Sequence, residues 1–447
     1  MPKVTVIMPS LNVAEYISQC MESVLNQTLS DLEILAIDAG STDGTLEILN
    51  KYKQKDKRVK VIISDKKSYG YQINLGIRLA TGEYVGIVET DDVIDKDMYF
   101  ILYQAAVEKN AEYVKGTGVF TLDLGNGHTW NNPIWAPLGD TGKMGQMIAP
   151  SNLPNLFIYD TFLWLGLYQR KFLQGIKLNE TQGAAYQDVG FMFQVLTTAK
   201  RAVYLENAIY YYRQDNSMSS IYNKNGFHYL AEEYAYIGHF LQNKERGWIE
   251  TYYRRMYFQC MGRFRNMALS GSYWSEMETD MEIMKKMLKK GIEDYYLTKE
   301  NIGKENWDLL CMYLQDSVKV YEFCKKELDE RLAQLQDFLR KVNGKRIIIF
   351  GAGTRGRYIH ALLERNYPGQ AEAFCDNNYK LWNMKIQGLS VMSLRDAVER
   401  GREKLFVITN VADAENMKAQ LMQMGVTEHN ILLYDMGTEM RDLLAIK

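Results

Sequence analysis

The sequence predicts an α/β protein: an open parallel sheet wound with helices at the N-terminal end, a helical middle, and a second, smaller α/β unit. Three observations predict it. Apolar runs without alternation, from Val4 to Met8, Leu32 to Ile37, Val59 to Ile63 and Tyr84 to Val88, are separated by stretches with helical spacing. Polar residues gather just after those runs. Later, Ile347 to Phe350 leads directly into Gly351-Ala352-Gly353-Thr354-Arg355-Gly356 and a helical pattern.

At 447 residues the chain exceeds one ordinary core, so two or three domains are expected. With 47% hydrophobic and 24% charged residues it is globular, and a formal net charge of −2 gives no bulk pull toward nucleic acid. The five cysteines are scattered without a C-x-x-C pair, and the five histidines lack a metal spacing. That argues against a disulfide framework or a zinc site and for a reducing, cytoplasmic setting. The N-terminus runs straight into a strand, so no signal peptide is expected. No apolar run approaches the roughly 20 residues needed to span a bilayer.

In order, the first strand ends at Pro9-Ser10-Leu11-Asn12. Asn12, with Glu15 three residues on, is expected to cap a helix carrying Val13, Ile17, Cys20, Met21, Val24 and Leu25. The second strand ends at Asp38-Ala39-Gly40-Ser41-Thr42-Asp43-Gly44, before a helix from Thr45 to Tyr52. The third ends at Ser64-Asp65, before a helix from Gln72 to Ala80. The fourth runs into Glu89-Thr90-Asp91-Asp92. The C-terminal ends of parallel strands share one edge, where ligands bind. Ser10, Asn12, Asp38, Asp65 and the acidic group are therefore expected to face one crevice. Clustered carboxylates resist joint ionisation without a cation. Hard oxygens at a strand end suit Mg²⁺ or Mn²⁺ held together with substrate phosphates. The plainer reading is a solvated acidic turn that starts the next helix. The first turn lacks G-x-G-x-x-G, so phosphates must be held in another way, such as by a metal on Asp91 or Asp92.

Val6-Ile7-Met8-Pro9-Ser10-Leu11-Asn12, Ser23-Val24-Leu25-Asn26-Gln27-Thr28, Ile37-Asp38-Ala39-Gly40-Ser41-Thr42-Asp43-Gly44-Thr45 and Ala80-Thr81-Gly82-Glu83-Tyr84 together resemble glycosyltransferase family 2, with its GT-A fold. The resemblance covers the first hundred residues almost without a break. It implies an inverting transferase that uses a nucleotide-diphosphate sugar and Mg²⁺ or Mn²⁺. On that resemblance Pro9 and Asn12 line the nucleotide pocket, Asp38 bonds the base, and Asp91 and Asp92 occupy the metal and diphosphate motif with Glu89. Asp65 and Asn74 are placed with the donor-binding residues. Three positions depart from the pattern: Ala39 for a second acid, Ile73 for an arginine before Asn74, and Glu89 for an aspartate.

Further on, Glu112 to Phe120 reads as a strand, and Leu124 to Pro154 as a long loop region. Trp164-Leu165-Gly166-Leu167-Tyr168 resembles a family segment ahead of the base. Ala185-Tyr186-Gln187-Asp188-Val189 resembles the family's Glu-Asp motif, with Gln187 in the glutamate position and Asp188 where the general base falls. Tyr212-Arg213 and Ser217 resemble a family segment that contacts the diphosphate.

The domains are expected at 1–221 (GT-A catalytic), 222–342 (helical) and 343–447 (Rossmann-like). Met284-Lys285-Lys286-Met287-Leu288-Lys289-Lys290 fits either a packed connector or a peripheral membrane contact, the latter because family acceptors are often lipid-linked. In the last domain Gly351, Gly353, Gly356 and Asp376, which closes the strand Ala371 to Cys375, make a Rossmann fingerprint. That domain is open between binding a nucleotide or NAD and a structural or homo-oligomerising role. The function expected is metal-assisted transfer of a sugar to a saccharide or lipid-linked acceptor hydroxyl in surface-polysaccharide synthesis. The rivals are a non-catalytic sugar-nucleotide scaffold and an NAD-dependent sugar oxidoreductase, the latter without a Tyr-x-x-x-Lys pair after Gly356.

Overall fold

The computed structural model describes residues 1–125, 128–135, 138, 143–183, 185–214, 216 and 223–434. The chain packs as two units. The first holds 1–119 and 133–324, and the second holds 120–132 and 325–447.

The first sheet is built on β1 (Val4–Ser10), β2 (Leu32–Asp38), β3 (Val59–Ile63), β4 (Tyr84–Ile87), β5 (Val93–Ile94), β6 (Tyr113–Gly125), β7 (His128–Trp135), β8 (Gly166–Gln169) and β9 (Ala202–Arg213), of which the end of β6 and most of β7 fall in the second unit. The sheet order is β3-β2-β1-β4-β8-β6-β9-β5, with β7 beside β6. The first four strands are parallel. β1 and β2 are buried at every residue, which is why they read as unbroken apolar runs. Their register sets Ser10 beside Asp38 and Ile7 beside Ile87, so three strand ends emerge together. β8 then runs antiparallel to both β4 and β6. β5 and β9 pair antiparallel, with Val93 opposite Tyr211.

Two helices begin elsewhere than expected. The first is Ile17–Leu25, and Asn12 does not cap it. Asn12 instead has φ +54° and gives its side-chain oxygen to the turn after β2. The third is Tyr69–Leu79, capped by Ser68 Oγ, which accepts from Tyr71 N at 3.3 Å.

The expected helical region is divided between the units. Helices Gly226–Gly238, Arg246–Ser270 and Glu278–Glu293 lie in the first unit. In the last of these, Met281, Met284, Lys285 and Leu288 are buried. Lys285 Nζ pairs with Glu282 at 2.6 Å and lies over the Tyr313 ring. The apolar side of the basic stretch is thus used in packing. No helix among the described residues is long and apolar enough to cross a membrane.

The second unit holds β10 (Ile347–Phe350), β11 (Ala371–Cys375), β12 (Lys385–Ile386), β13 (Leu389–Met392), β14 (Leu405–Ile408) and β15 (Ile431–Leu433). Its sheet order is β12-β13-β11-β10-β14-β15, parallel except for the β12 edge. This is a doubly wound order with β10 at the centre. Phe120 and Leu122 pack in this unit's core with Leu335, Phe338 and Ile347.

Candidate active site

The turns after β1 and β2 are laced together. Asp38 is fully buried, and its Oδ1 accepts from Gly40 N and Ser41 N at 2.9 Å each. Its Oδ2 accepts from Ser41 Oγ at 2.5 Å and Ser10 Oγ at 3.4 Å. Both oxygens are spent within the loops, so Asp38 shapes the turn and has no surface to offer a base. Asn12 Oδ1 accepts from Thr42 N, and Asn12 N donates to Ser41 Oγ, both at 2.9 Å. Gln72 Nε2 fastens the strand ends from below, donating to Ser10 O and Ile37 O at 3.0 and 2.6 Å. Asp65, after β3, is exposed, and a hydrogen bond from Tyr71 holds its carboxyl below the usual range.

The acidic turn joins the same edge through Thr90 Oγ1, which donates to Pro9 O at 2.9 Å. Its three carboxylates have different surroundings. Asp92 is 1% exposed, and its oxygens accept from Tyr210 OH and Arg213 N at 2.8 Å each. Burial, then the neighbouring Asp91, pushes its pKa well up. Expected as a metal ligand, Asp92 instead anchors the end of β9, because the β5–β9 register brings it beside Arg213. Asp91 is half-buried and accepts from Asn216 Nδ2 through Oδ2 at 2.7 Å. Glu89 Oε1 accepts from Tyr69 OH. Burial pushes the Glu89 carboxyl up to about 8, against the Tyr69 bond, with Asp91 and Asp188 adding repulsion. Asp91 Oδ1 and Glu89 Oε2 have no partner among the described residues. No group of three or more His, Cys, Asp or Glu among those residues is arranged to hold a metal ion. Two hard carboxylate oxygens are therefore what the chain itself offers. That donor set fits Mg²⁺ or Mn²⁺ completed by substrate phosphates.

Arg213 sits at the rim. Its Nε donates to Asp91 O at 2.8 Å and its Nη2 to Gln19 Oε1 at 2.7 Å, with the guanidinium 5.0 Å from the centre of the Tyr16 ring. Ser217 lies outside the described residues.

Asp188 stands in the first turn of the helix Gln187–Thr198. Burial raises its carboxyl to about 6, opposed mainly by the charge of Arg255. Arg255 itself is held by Ile158 O at 2.6 Å and Thr161 Oγ1 at 3.0 Å. Asp188 also raises the pKa of Tyr69, so its charge acts on the same Tyr69–Glu89 pair that borders the acidic turn. The departure at Gln187 has a physical reason. Its Oε1 accepts from Gly70 N at 2.9 Å, and its Nε2 donates to Asn179 O and Thr181 O at 2.8 and 3.2 Å. A glutamate could make the first bond but could donate neither of the others.

Asn74 is 5% exposed and fully committed: its Nδ2 donates to Leu178 O and Glu180 Oε1, and its Oδ1 accepts from Leu178 N, at 2.9 to 3.0 Å. It fastens the 178–180 loop rather than facing the crevice. In the second unit Gly351, Gly353, Gly356 and Asp376 meet beyond β10 and β11. A Cβ on Gly356 would stand 1.8 Å from Gly351 O, so the helix start packs on the strand turn only as glycine. Asp376 accepts from Ala352 N at 2.8 Å and Asn378 N at 2.7 Å.

Residues 5–163 match the sequence model of Glycosyl transferase family 2. The chain carries a glycosyltransferase family 2 domain. The chain is 29% identical over 221 residues to Glycosyltransferase GlyG of Streptococcus pneumoniae serotype 4, an alignment covering 47% of this chain and 70% of the relative. It is 41% identical over 96 residues to the chondroitin synthase of Escherichia coli, covering 22% of this chain and 14% of that protein. Its fold is similar to that of TarS 1-349 from S. aureus, solved in complex with UDP-GlcNAc. The TM-score is 0.53 at 18% identity, over 73% of this chain and 92% of that one. The sheet is thus that of the GT-A glycosyltransferases.

Several residues of the site escape sequence reasoning. Tyr69 and Arg255 belong to no motif and are brought in only by the fold, and Tyr210, inside the segment that resembles the family's Tyr-Arg…Ser, gives no sign in the sequence that its partner is Asp92. Ser41 and Thr42 lie inside a motif, but nothing in the sequence says that their partner is Asn12.

Proposed function

We propose that the glycosyltransferase moves a sugar, with inversion, from a nucleotide-diphosphate donor to an acceptor hydroxyl. The observation that carries this reading is geometric. Gln187, next to Asp188, accepts from Gly70 N at 2.9 Å, and Tyr69, next to Gly70, donates to Glu89, so the start of the Asp188 helix borders the acid-rich end of β4. The nucleotide lies over the Pro9–Asn12 and Ser41–Thr42 turns, with Asp65 at the side and Asp38 holding the floor. Arg213 meets the diphosphate at the rim. Asp188 accepts the proton of the acceptor hydroxyl as that oxygen bonds the anomeric carbon. The bond from that carbon to the diphosphate breaks, and the nucleoside diphosphate leaves with its electron pair. Asp91 and Glu89 would hold a divalent cation, which when bound neutralises the charge of the departing diphosphate.

TarS binding UDP-GlcNAc supports a nucleotide-sugar donor, and chondroitin synthase as a relative supports work on a polysaccharide. The alignments to GlyG and to YibD, a glycosyltransferase of Escherichia coli, cover 47% and 50% of this chain and so bear on about half of it. A hydride-transfer role for the second unit has no support from Asp376 of the fingerprint, which spends both oxygens on backbone N–H groups.

The test is nucleoside-diphosphate release from UDP-GlcNAc, UDP-glucose, UDP-galactose and GDP-mannose, with Mn²⁺, Mg²⁺ or EDTA. The wild type should turn over at least one donor, lose that turnover in EDTA, and lose about 100-fold in rate on Asp91→Asn. Release untouched by both EDTA and Asp91→Asn would remove the metal role. Binding of a donor without turnover of any would favour the scaffold.

A further inference from the structure

We infer that Arg263, on a helix outside the family-matched residues, is a positioning residue for Asp188 and acts through Tyr186. This rests on the reading of Asp188 as the base. Tyr186 immediately precedes the helix that carries Asp188, and its φ is +70°. A bulky side chain rarely holds that conformation unaided, so the surroundings must enforce it. Arg263 is 1% exposed. Its Nη1 donates to Tyr186 OH at 3.1 Å and its Nη2 to Asn223 O at 2.5 Å. The guanidinium lies 4.8 Å from the centre of the Trp274 ring. On another side it meets Gly226, where a Cβ would stand 2.1 Å from Arg263 Cζ. The planar group is therefore packed between the Trp274 ring and Gly226 while two of its nitrogens donate.

The next residue is anchored independently. Gln187 is tied to Gly70, Asn179 and Thr181. Asp188 thus follows two consecutive fixed residues, one held from the helix Arg246–Ser270 and the other from Gly70 and the 179–181 loop. Lysine at 263 could not reproduce the two-pronged geometry, because an ammonium is a point donor on a flexible stem.

The test is a double-mutant cycle of Arg263→Lys and Tyr186→Phe. It is read as kcat and donor KM on whichever of the four nucleotide sugars above the wild type hydrolyses fastest, beside Tm. Each single variant should lower kcat about 10- to 100-fold with KM within threefold, since small misplacement of a base costs rate before affinity. The double variant should be no slower than the worse single, because both changes break one link. Independent, multiplicative losses in kcat would overturn the inference, as would folded singles with wild-type kcat. A merely structural role would lower Tm without moving kcat in the folded range. If Arg263→Lys fails to fold, Tyr186→Phe decides alone: it keeps the ring, and wild-type kcat in it overturns the proposal. Asp188→Asn is measured alongside. Retained turnover there removes the base reading itself. Lost turnover there with an additive cycle removes only the role of Arg263.

Discussion

Glu233 and Asp188 lie on neighbouring helices, and burial moves both carboxyls upward, but not equally. Glu233 is 1% exposed and pushed to about 8, opposed first by its bond from Asn179 Nδ2. Asp188 stops at about 6, because Arg255 favours its ionised form. Near neutral pH one is therefore mostly an acid and the other mostly a base. Glu233 presses on Gly190, where a Cβ would stand 2.0 Å from Oε1, so the first turn under Asp188 admits no larger residue. The folded state keeps a proton on Glu233 that the unfolded chain, titrating near the ordinary 4.5, gives up. The stability tied to this group is full below about pH 4.5 and is lost as pH rises through about 8, on the order of 5 kcal/mol in all. Glu233→Gln should match the wild-type Tm near pH 5 and exceed it at pH 8. Parallel Tm curves across that range would place the carboxyl in a more solvated setting than this.

At the scale of elements, the loop at 178–181 is clasped by two amides. Asn74 reaches it from the helix Tyr69–Leu79, and Gln187 from the helix Gln187–Thr198. Asn74→Ala would remove three hydrogen bonds and strand the amide and carbonyl of Leu178, at a cost of about 2–3 kcal/mol. Thermal melts should register that loss while donor KM stays within about threefold. An unchanged melt with a tenfold rise in KM would put Asn74 on the donor. This clasp also marks where sequence reading stops. Asn74 and Gln187 sit beside motif residues and carry the polar groups of a binding site. Their partners, however, are decided by chain 104 residues from Asn74 and 117 residues from Gln187. Asp92 is a similar case: its charge was legible, but the β5–β9 register that spends it on Tyr210 and Arg213 was not. Asn12 has the composition of a helix cap, yet its positive φ gives it to the turn after β2.

For the whole molecule, the parallel half of the first sheet was legible because strands buried on both faces leave unbroken apolar runs. Their polar ends had to share an edge, and the Thr90–Pro9 and Asn12–Thr42 bonds are that shared edge. The glycine turn and the central strand of the second unit were legible for the same reason. The antiparallel completion by β8, β6, β9 and β5 was not, since sequence spacing says little about which distant strands pair. Nor was the assignment of 120–132 to the second unit, or of the helices up to 324 to the first, because amphipathic helices declare a buried face without naming what covers it. The first unit therefore brings residues as far apart as Asn12, Asp91, Asp188 and Arg263 into one account, in which a carboxylate base stands opposite a nucleotide-diphosphate crevice. The pH dependence of kcat tests it most directly, in the wild type and in Asp188→Asn, with donor affinity measured beside it. The account predicts a wild-type rate that falls about tenfold per pH unit below about pH 6. It predicts an Asp188→Asn rate that is at least about 100-fold lower and flat across that range, with donor affinity unchanged. An Asp188→Asn enzyme that keeps both the rate and the acid limb would contradict it.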